Sequence, residues 1–121
     1  MPLLFSEGVG KGRIDIHQFV ALTATNPAKL YGLYPKKGSI AIGGDADIVI
    51  WDQHRELTID NEMLHHNVDY TPYQGMKIKG WPEMTLSRGE VVWGDGVVKG
   101  HPGQGQFQAC DRPDAAKPRP R

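Results

Sequence analysis

The run from Thr25 to Asp52 constrains the fold more than any other stretch, because it sets a helix, a strand, a turn and a second strand in order. Thr25 or Asn26 can cap a helix whose first turn tolerates Pro27, since a proline there lacks only an N–H that has no helical partner. Gly32 is placed to stop this helix in a left-handed conformation. The sequence therefore predicts a helix that restarts near Asn26 and ends at Gly32.

Two strands are predicted after that helix. Ser39–Ile42 alternates polar and apolar side chains, which is typical of a half-buried strand. Gly43–Asp45 predicts a turn, because glycine accepts a positive φ without steric cost. Ile48–Trp51 is apolar and mostly β-branched, which indicates a strand at about 47–52 that is covered on both faces.

Helical patterns precede this run. Pro2–Val9 has the pattern of a short helical remnant. Asp15 followed by Gln18 resembles a capping box, and it opens a helix that we expect to end near Thr25. The residues predicted to share one face of this helix are Ile16, Phe19, Val20 and Thr23.

Strand patterns dominate the second half of the chain. Glu90–Trp93 and Val97–Val98 flank an Asp-Gly turn and predict a hairpin. His65–Gly75 is a polar, aromatic-rich stretch predicted to be a loop. Beyond Gly100 the composition shifts to Gly, Pro, Gln and charged residues, and residues 111–121 are predicted to form a disordered tail. Further short strands are predicted at 55–59, Met76–Lys79 and Met84–Ser87.

Composition limits the class of protein. The chain has 121 residues and 14 basic residues against 14 acidic ones, so it lacks the basic excess that favours nucleic acid or anionic membranes. Apolar runs are far shorter than the roughly 18 residues of a membrane span. The single cysteine, Cys110, excludes an internal disulfide and a cysteine zinc site. We therefore expect a soluble cytoplasmic protein.

One histidine-rich stretch suggests a metal site as an alternative. His65, His66 and Asp69 offer imidazole and carboxylate, which are zinc ligands. Adjacent residues on a strand point to opposite faces, and histidine ligands usually stand two or four residues apart. A polar surface loop is therefore favoured over a stand-alone metal site.

Other chemistry-bearing residues suggest structural roles. Asp45, Asp47 and Asp52 bracket the apolar strand and could be paired carboxylates for acid–base work. We favour the interpretation that Asp47 and Asp52 are strand-end residues that satisfy turn amides. Cys110 is interpreted as an inert thiol, and the tryptophans are expected to pack a β core. These tryptophans are Trp51, Trp81 and Trp93. No catalytic, cofactor-binding or metal-binding residue is predicted.

Several stretches, taken in order, closely resemble the C-terminal part of dihydropyrimidinases and D-hydantoinases. His65–Tyr73 and Gly80–Pro82 resemble this group rather than allantoinases or the more distant ureases and dihydroorotases. The resemblance spans about residues 2–107, and it weakens near Gln106, where a basic residue is usual in the family. The stretches that carry it are Pro2–Val9, Phe19–Leu33, Lys37–Asp52 and Thr85–Val92.

The resemblance implies an α+β fragment in three parts. Residues 1–36 would be the last helices of a TIM-type (β/α)8 barrel, residues 37–100 the C-terminal strands of a β-sandwich, and residues 101–121 a tail. The family opens cyclic amides, dihydropyrimidines or hydantoins, with a two-zinc centre. Its metal-ligand motifs would all fall upstream of Met1. The chain by itself is therefore expected to hold no cofactor and to be inactive.

The same resemblance implies a partner. Strand edges and an apolar helix face would be exposed without the N-terminal barrel and sandwich portion, or a homologous chain that replaces it. The complete enzyme is expected to be a homo-oligomer. The alternative function is a non-catalytic interaction module that completes another chain. Met1 would lie within a helix of the family, which predicts a truncated or split reading frame or a start assigned too far downstream.

Overall fold

Helices come first in the chain and strands follow, in a computed structural model that describes residues 1–113. Helix α1, Pro2–Leu4, continues as a π-helical turn over Phe5–Val9, which confirms the short helix predicted there. Helix α2, Ile16–Val20, continues through a second π-helical turn, Ala21–Thr25, into helix α3, Asn26–Leu30.

Two predicted helix ends are confirmed. The Asp15 carboxylate accepts a hydrogen bond from the Gln18 N–H at 2.7 Å, and the Gln18 side chain accepts one from the Asp15 N–H at 2.9 Å. This capping box fixes the start of α2. Beyond α3, Gly32 has φ +69°, the left-handed conformation predicted for it.

The helix restart predicted at Thr25 or Asn26 is wrong. Both residues have helical φ values, −67° and −68°, so α2 and α3 form one uninterrupted helical run. Neither side chain caps a helix, and the Thr25 hydroxyl instead donates a hydrogen bond to the Gly38 carbonyl at 2.8 Å. A proline ring collides with the carbonyl four residues earlier in a regular α-helix. The widened π-helical turn just before Pro27 lets the run continue.

The strands form one antiparallel sheet in the order β1-β2-β3-β4, so the fold class is α+β. The hairpin predicted around Asp95 and Gly96 is confirmed, and both residues have positive φ, +57° and +76°. A single 3₁₀ turn, Asn61–Met63, starts the long connection between β1 and β2. The strands are β1 Ile48–Thr58, β2 Lys77–Ser87, β3 Glu90–Gly94 and β4 Val97–Val98.

Three strand predictions need correction. Ser39–Ile42 forms no strand. The strands predicted at 47–52 and 55–59 are one strand, and so are those predicted on either side of Gly80–Pro82. Two shifts in the pairing of β1 with β2 accompany these mergers. Glu83 is an extra residue in β2 beside Pro82, which has no N–H to donate, and β1 has extra residues between Asp52 and Glu56.

One buried cluster forms where β1 ends and β2 begins. Ile59, Ile78 and Trp81 are at most 9 % exposed. Side chains from the β1–β2 connection and from β3 pack against this cluster, among them Met63, Leu64, Met76 and Trp93. Two of the three tryptophans thus pack the β core as predicted.

Aromatic contacts hold the helices on the sheet. The Phe5 ring lies 5.3 Å from the Phe19 ring and 5.1 Å from the Trp51 ring, centroid to centroid. The buried Ser6 hydroxyl accepts a hydrogen bond from the Lys79 N–H at 3.1 Å. Trp51 therefore joins sheet to helices, rather than filling the core around Trp81.

The segment after β4 has no regular structure up to residue 113. Gln104 accepts a hydrogen bond on its carbonyl from the Arg88 guanidinium, and the Asp111 N–H donates one to the Gly32 carbonyl at 2.9 Å. The disordered tail predicted for 111–121 falls mostly on residues 114–121, outside the described residues. Within residues 1–113, no helix is long and apolar enough to cross a membrane.

Candidate functional site

The histidine stretch does not form a shared site. The His65 Nε2 atom accepts a hydrogen bond from the Trp93 indole N–H at 2.9 Å, and the His66 Nδ1 atom accepts one from the Val68 N–H at 3.4 Å. The His65 and His66 nitrogens whose lone pairs could bind a metal thus each accept a hydrogen bond, and from different partners. Nowhere in residues 1–113 do three His, Cys, Asp or Glu side chains group as a metal would require.

Two of the three aspartates meet at a lysine. The Lys37 ammonium lies 2.8 Å from the Asp45 carboxylate and pairs still more closely with Asp47. The second oxygen of Asp47 accepts a hydrogen bond from the Arg88 N–H at 2.8 Å. We call Lys37, Asp45 and Asp47 the Lys37 cluster; it ties the segment before β1 to the turn between β2 and β3.

Charge pairing dominates the electrostatics of the Lys37 cluster. Desolvation alone would lower the pKa of Lys37, but hydrogen bonds and charge interactions with Asp45 and Asp47 outweigh it and raise the pKa. Desolvation alone would raise the pKa of Asp47, but its bonds to Lys37 and the Arg88 N–H lower it. Lys37 and Asp47 are therefore held in their charged forms, which suits an ion pair and not a proton-transfer site.

Asp52 lies apart from this cluster, inside β1. One carboxylate oxygen accepts hydrogen bonds from the His54 N–H at 2.8 Å and from the Arg55 N–H at 3.1 Å. These amides belong to the second register shift of the strand. The prediction that Asp47 and Asp52 satisfy backbone amides is confirmed, with Asp52 at a bulge and not at a strand end.

An apolar groove lies between the helices and β1. Its volume is about 700 Å³, and it is open to solvent. Phe19 and Trp51 form its floor, and their rings lie 6.0 Å apart. Asp47 of the Lys37 cluster stands at its rim. The other apolar side chains that line it include Ile16, Val20, Ile40, Ile48 and Val49.

Gly80 lets the groove floor close against the sheet. It has φ +95°, and a Cβ built there would overlap the Phe5 ring and stand 3.0 Å from the Trp51 indole nitrogen. That indole N–H is buried and has no hydrogen-bond partner among the described residues. Only glycine fits both the backbone conformation and the space.

The groove has the character of a packing surface. Its lining is largely apolar, and Asp47, its one charged member, is neutralised by Lys37. Cys110 is exposed in the segment after β4 and does not line it. Residues 1–113 thus show an apolar surface beside the edge strand β1.

Sequence patterns missed this groove, because its walls come from segments far apart in the chain. Phe5, Phe19 and Trp51 have no characteristic spacing that would predict their contact. The only local signal is Ser39–Ile42, whose alternation predicts a strand with one apolar face. The Lys37 cluster could not be predicted from the sequence either, since lysine and aspartate near a turn are common surface residues.

A small α+β unit with an open apolar groove and a free strand edge is typical of part of a larger domain. The chain belongs to the amidohydrolase family, whose family model matches residues 2–92. Its relatives include D-hydantoinases and dihydropyrimidinases.

Two curated relatives and one solved structure illustrate the similarity. The D-hydantoinase of Geobacillus stearothermophilus is 53 % identical over 107 residues, which is 88 % of this chain and 23 % of that protein. Dihydropyrimidinase 2 of Caenorhabditis elegans is 46 % identical over 107 residues, 88 % of this chain and 21 % of that protein. The D-hydantoinase structure from Bacillus sp. AR9 has a TM-score of 0.90 at 45 % identity, covering 93 % of this chain and 25 % of that one.

This chain therefore spans less than a quarter of the curated relatives to which it was matched. The same segment has nearly the same backbone conformation in a relative about four times as long. The described residues do not supply a set of ligands for the zinc centre that the family resemblance implies.

Proposed function

We propose that this chain is the C-terminal portion of a metal-dependent hydrolase of cyclic amides, the dihydropyrimidines or hydantoins, and that it is not catalytic by itself. Residues 1–36 supply the last helices of the barrel, and residues 37–100 supply strands of the β-sandwich. The observation that carries this proposal is the match of 88 % of the chain to 23 % of a D-hydantoinase. The metal ligands of the complete enzyme then come from outside this chain.

The role of the chain in that enzyme is structural. The helices and the edge of β1 present apolar surface that the rest of the polypeptide covers, and the sheet holds them in position. In this proposal, no step of ring opening is assigned to a side chain of residues 1–113.

Two assays test the proposal. Purified chain with added zinc should open neither dihydrouracil nor hydantoin faster than a heat-denatured control, and metal-dependent turnover above that control would contradict its inactivity. Second, the matching segment of the G. stearothermophilus D-hydantoinase is replaced by residues 1–107 of this chain. This graft should fold, bind zinc and turn over hydantoin, because it restores the surface that the segment normally supplies. A folded graft without zinc or turnover would contradict the assignment.

A second candidate function is a non-catalytic interaction module that completes another chain. The open groove of about 700 Å³ and the exposed apolar side chains beside it favour this candidate. It predicts that the purified chain captures a complementary polypeptide or self-associates. A stable, monodisperse monomer that captures neither would count against it.

A further inference from the structure

The connection between β1 and β2 is closed at its base by several hydrogen bonds. The Gly75 N–H donates one to the Ile59 carbonyl at 2.8 Å, and the Gln74 side-chain amide donates one to the Asp60 carboxylate at 2.8 Å. Leu64 packs against the buried cluster. The base is therefore fixed by contacts that do not involve the rest of the connection.

The tip of the connection, His65–Tyr70, is held much less firmly. Every residue of the tip is exposed. The bond from the Val68 N–H to the His66 ring lies within the tip itself. Among residues 1–113, one hydrogen bond leaves the tip, and it joins the His65 Nε2 atom to the Trp93 indole N–H of β3 at 2.9 Å. We call this contact the His65 latch.

The His65 latch requires a neutral imidazole. An indole nitrogen only donates, so the Nε2 atom of His65 must accept, and the proton of the neutral ring lies on Nδ1. A proton added to Nε2 turns this atom into a second donor that faces the indole N–H, and the hydrogen bond is lost. Imidazole is the side chain whose ordinary change of charge falls between pH 5 and 8. Protonation and the latch therefore exclude each other within that range.

The surroundings of the latch leave it as the contact that responds to pH. Trp93 lies opposite Thr85 of β2 and Val98 of β4, which do not ionise. Within residues 1–113, His65 forms no ion pair or hydrogen bond with a charged side chain, and two charged groups of the hairpin are bound by Gln104 and by each other. The titratable side chains on the elements around it are His66, Asp69 and Tyr70 of the tip, Glu83 of β2, and Glu90, Asp95 and Lys99 of the β3–β4 hairpin.

We propose that the His65 latch is a pH-sensitive switch: the neutral ring holds the tip against β3, and protonation of the ring releases the tip while the base stays in place. Trp93 keeps its position in both states, because it also packs against the buried cluster. The moving part is thus confined to His65–Tyr70. This inference goes beyond the proposed function and does not depend on it.

NMR spectroscopy of the full chain between pH 8 and pH 5, in a buffer that contains a metal chelator, tests the switch. The indole N–H signal of Trp93, assigned with Trp93→Phe, should move toward its non-bonded position in one step that coincides with the titration of the His65 ring protons. Over the same step, the backbone order parameters of residues 66–70 should fall below about 0.6, while that of Gly75 stays near about 0.85.

Two adjacent histidines provide a matched pair of variants. His65→Gln supplies an acceptor that does not titrate and should abolish the step in both measurements. His66→Gln changes a ring that bonds only within the tip and should leave the step unchanged. His65→Ala removes the acceptor and should give a mobile tip even at pH 8.

Three results would overturn the switch. The first is a Trp93 signal that stays constant while His65 titrates. The second is a step that persists in His65→Gln, or an ordered tip in His65→Ala at pH 8. The third is a step in the indole signal with a tip that stays ordered in acid, because the imidazolium would then remain against the Trp93 ring through a cation–π contact.

Discussion

Two apolar regions of the molecule are built from similar residues but differ in exposure. In the first, which we call the closed side, Ile59, Ile78 and Trp81 are at most 9 % exposed. In the second, the open side, the groove beside β1 leaves Val49 40 % exposed and Ile40 87 % exposed. Apolar character alone therefore does not decide burial.

The difference lies in what covers each side. Met63, Leu64 and Met76 of the β1–β2 connection pack over the closed side, together with Trp93 of β3. The helices cover the open side only in part: Phe5 and Phe19 are 4 % and 6 % exposed, whereas Ile40 and Val49 at the groove stay accessible. The comparison shows one cluster that the chain's own segments close and one groove that the described residues cover incompletely.

The largest effect is expected on the closed side. Trp81→Ala removes the largest side chain of the buried cluster and should lower the free energy of unfolding by about 3–5 kcal/mol. Urea denaturation followed by circular dichroism measures this loss. A change below about 1 kcal/mol would show that this cluster is not the core that stabilises the chain.

Gly80, at the junction of the two sides, should give the next largest effect. Gly80→Ala forces a left-handed conformation on alanine and pushes a methyl group into the Phe5 ring, whereas Gly75→Ala meets only the conformational strain. We expect a loss of about 1–2 kcal/mol for Gly75→Ala, and about 1–3 kcal/mol more for Gly80→Ala because of overpacking. Thermal unfolding of both variants measures the difference. Equal losses would mean that Phe5 does not pack against Gly80.

A smaller effect is expected at the rim of the groove. Asp47→Asn breaks the ion pair with Lys37 and should lower the free energy of unfolding by about 1 kcal/mol or less at neutral pH, since the pair is partly exposed. The folded-state pKa of Asp47 is lowered, so its contribution is present above the unfolded pKa of about 4 and is lost as pH falls through the folded value. The folded-state pKa of Lys37 is raised, so its contribution is present below about pH 10 and is lost as pH rises further.

Denaturant titrations at pH 7 and between pH 4 and 2 test this prediction. Asp47→Asn should flatten the loss of stability in acid. The control Asp95→Asn removes the partner of Lys99 at an exposed turn, where asparagine also suits the positive φ, and should behave like the parent chain at pH 7. An unchanged acid limb in Asp47→Asn would contradict the role of the Lys37 cluster.

The smallest effect is expected on the open side of the free chain. Ile42→Ser changes a fully exposed side chain and should alter the free energy of unfolding by no more than about 0.5 kcal/mol in either direction. Chemical denaturation of the isolated chain provides the measurement. A loss of 2 kcal/mol or more, on the scale of a buried side chain, would show that the open side is already covered in the free chain.

Elements that depend on residues close together in the sequence could be predicted, and elements that depend on distant segments could not. The capping box of Asp15 and Gln18, the left-handed Gly32 and the Asp95–Gly96 turn each depend on neighbours within a few residues. The mergers within β1 and β2 could not be predicted, because they depend on register shifts between the two strands, at Glu83 beside Pro82 and between Asp52 and Glu56. The alternation of Ser39–Ile42 predicted a strand, but these residues pair with no strand of the described chain.

By itself, the sequence determined the start of α2, the left-handed turn at Gly32, the hairpin and the family, since these follow from short-range backbone preferences and from residue order. Only the tertiary structure decided which apolar residues are buried, that Lys37 holds Asp45 and Asp47, and that Phe5, Phe19 and Trp51 form the floor of an open groove. The physical reason is that burial depends on which distant segments meet, and a local pattern specifies an apolar face without specifying what covers it.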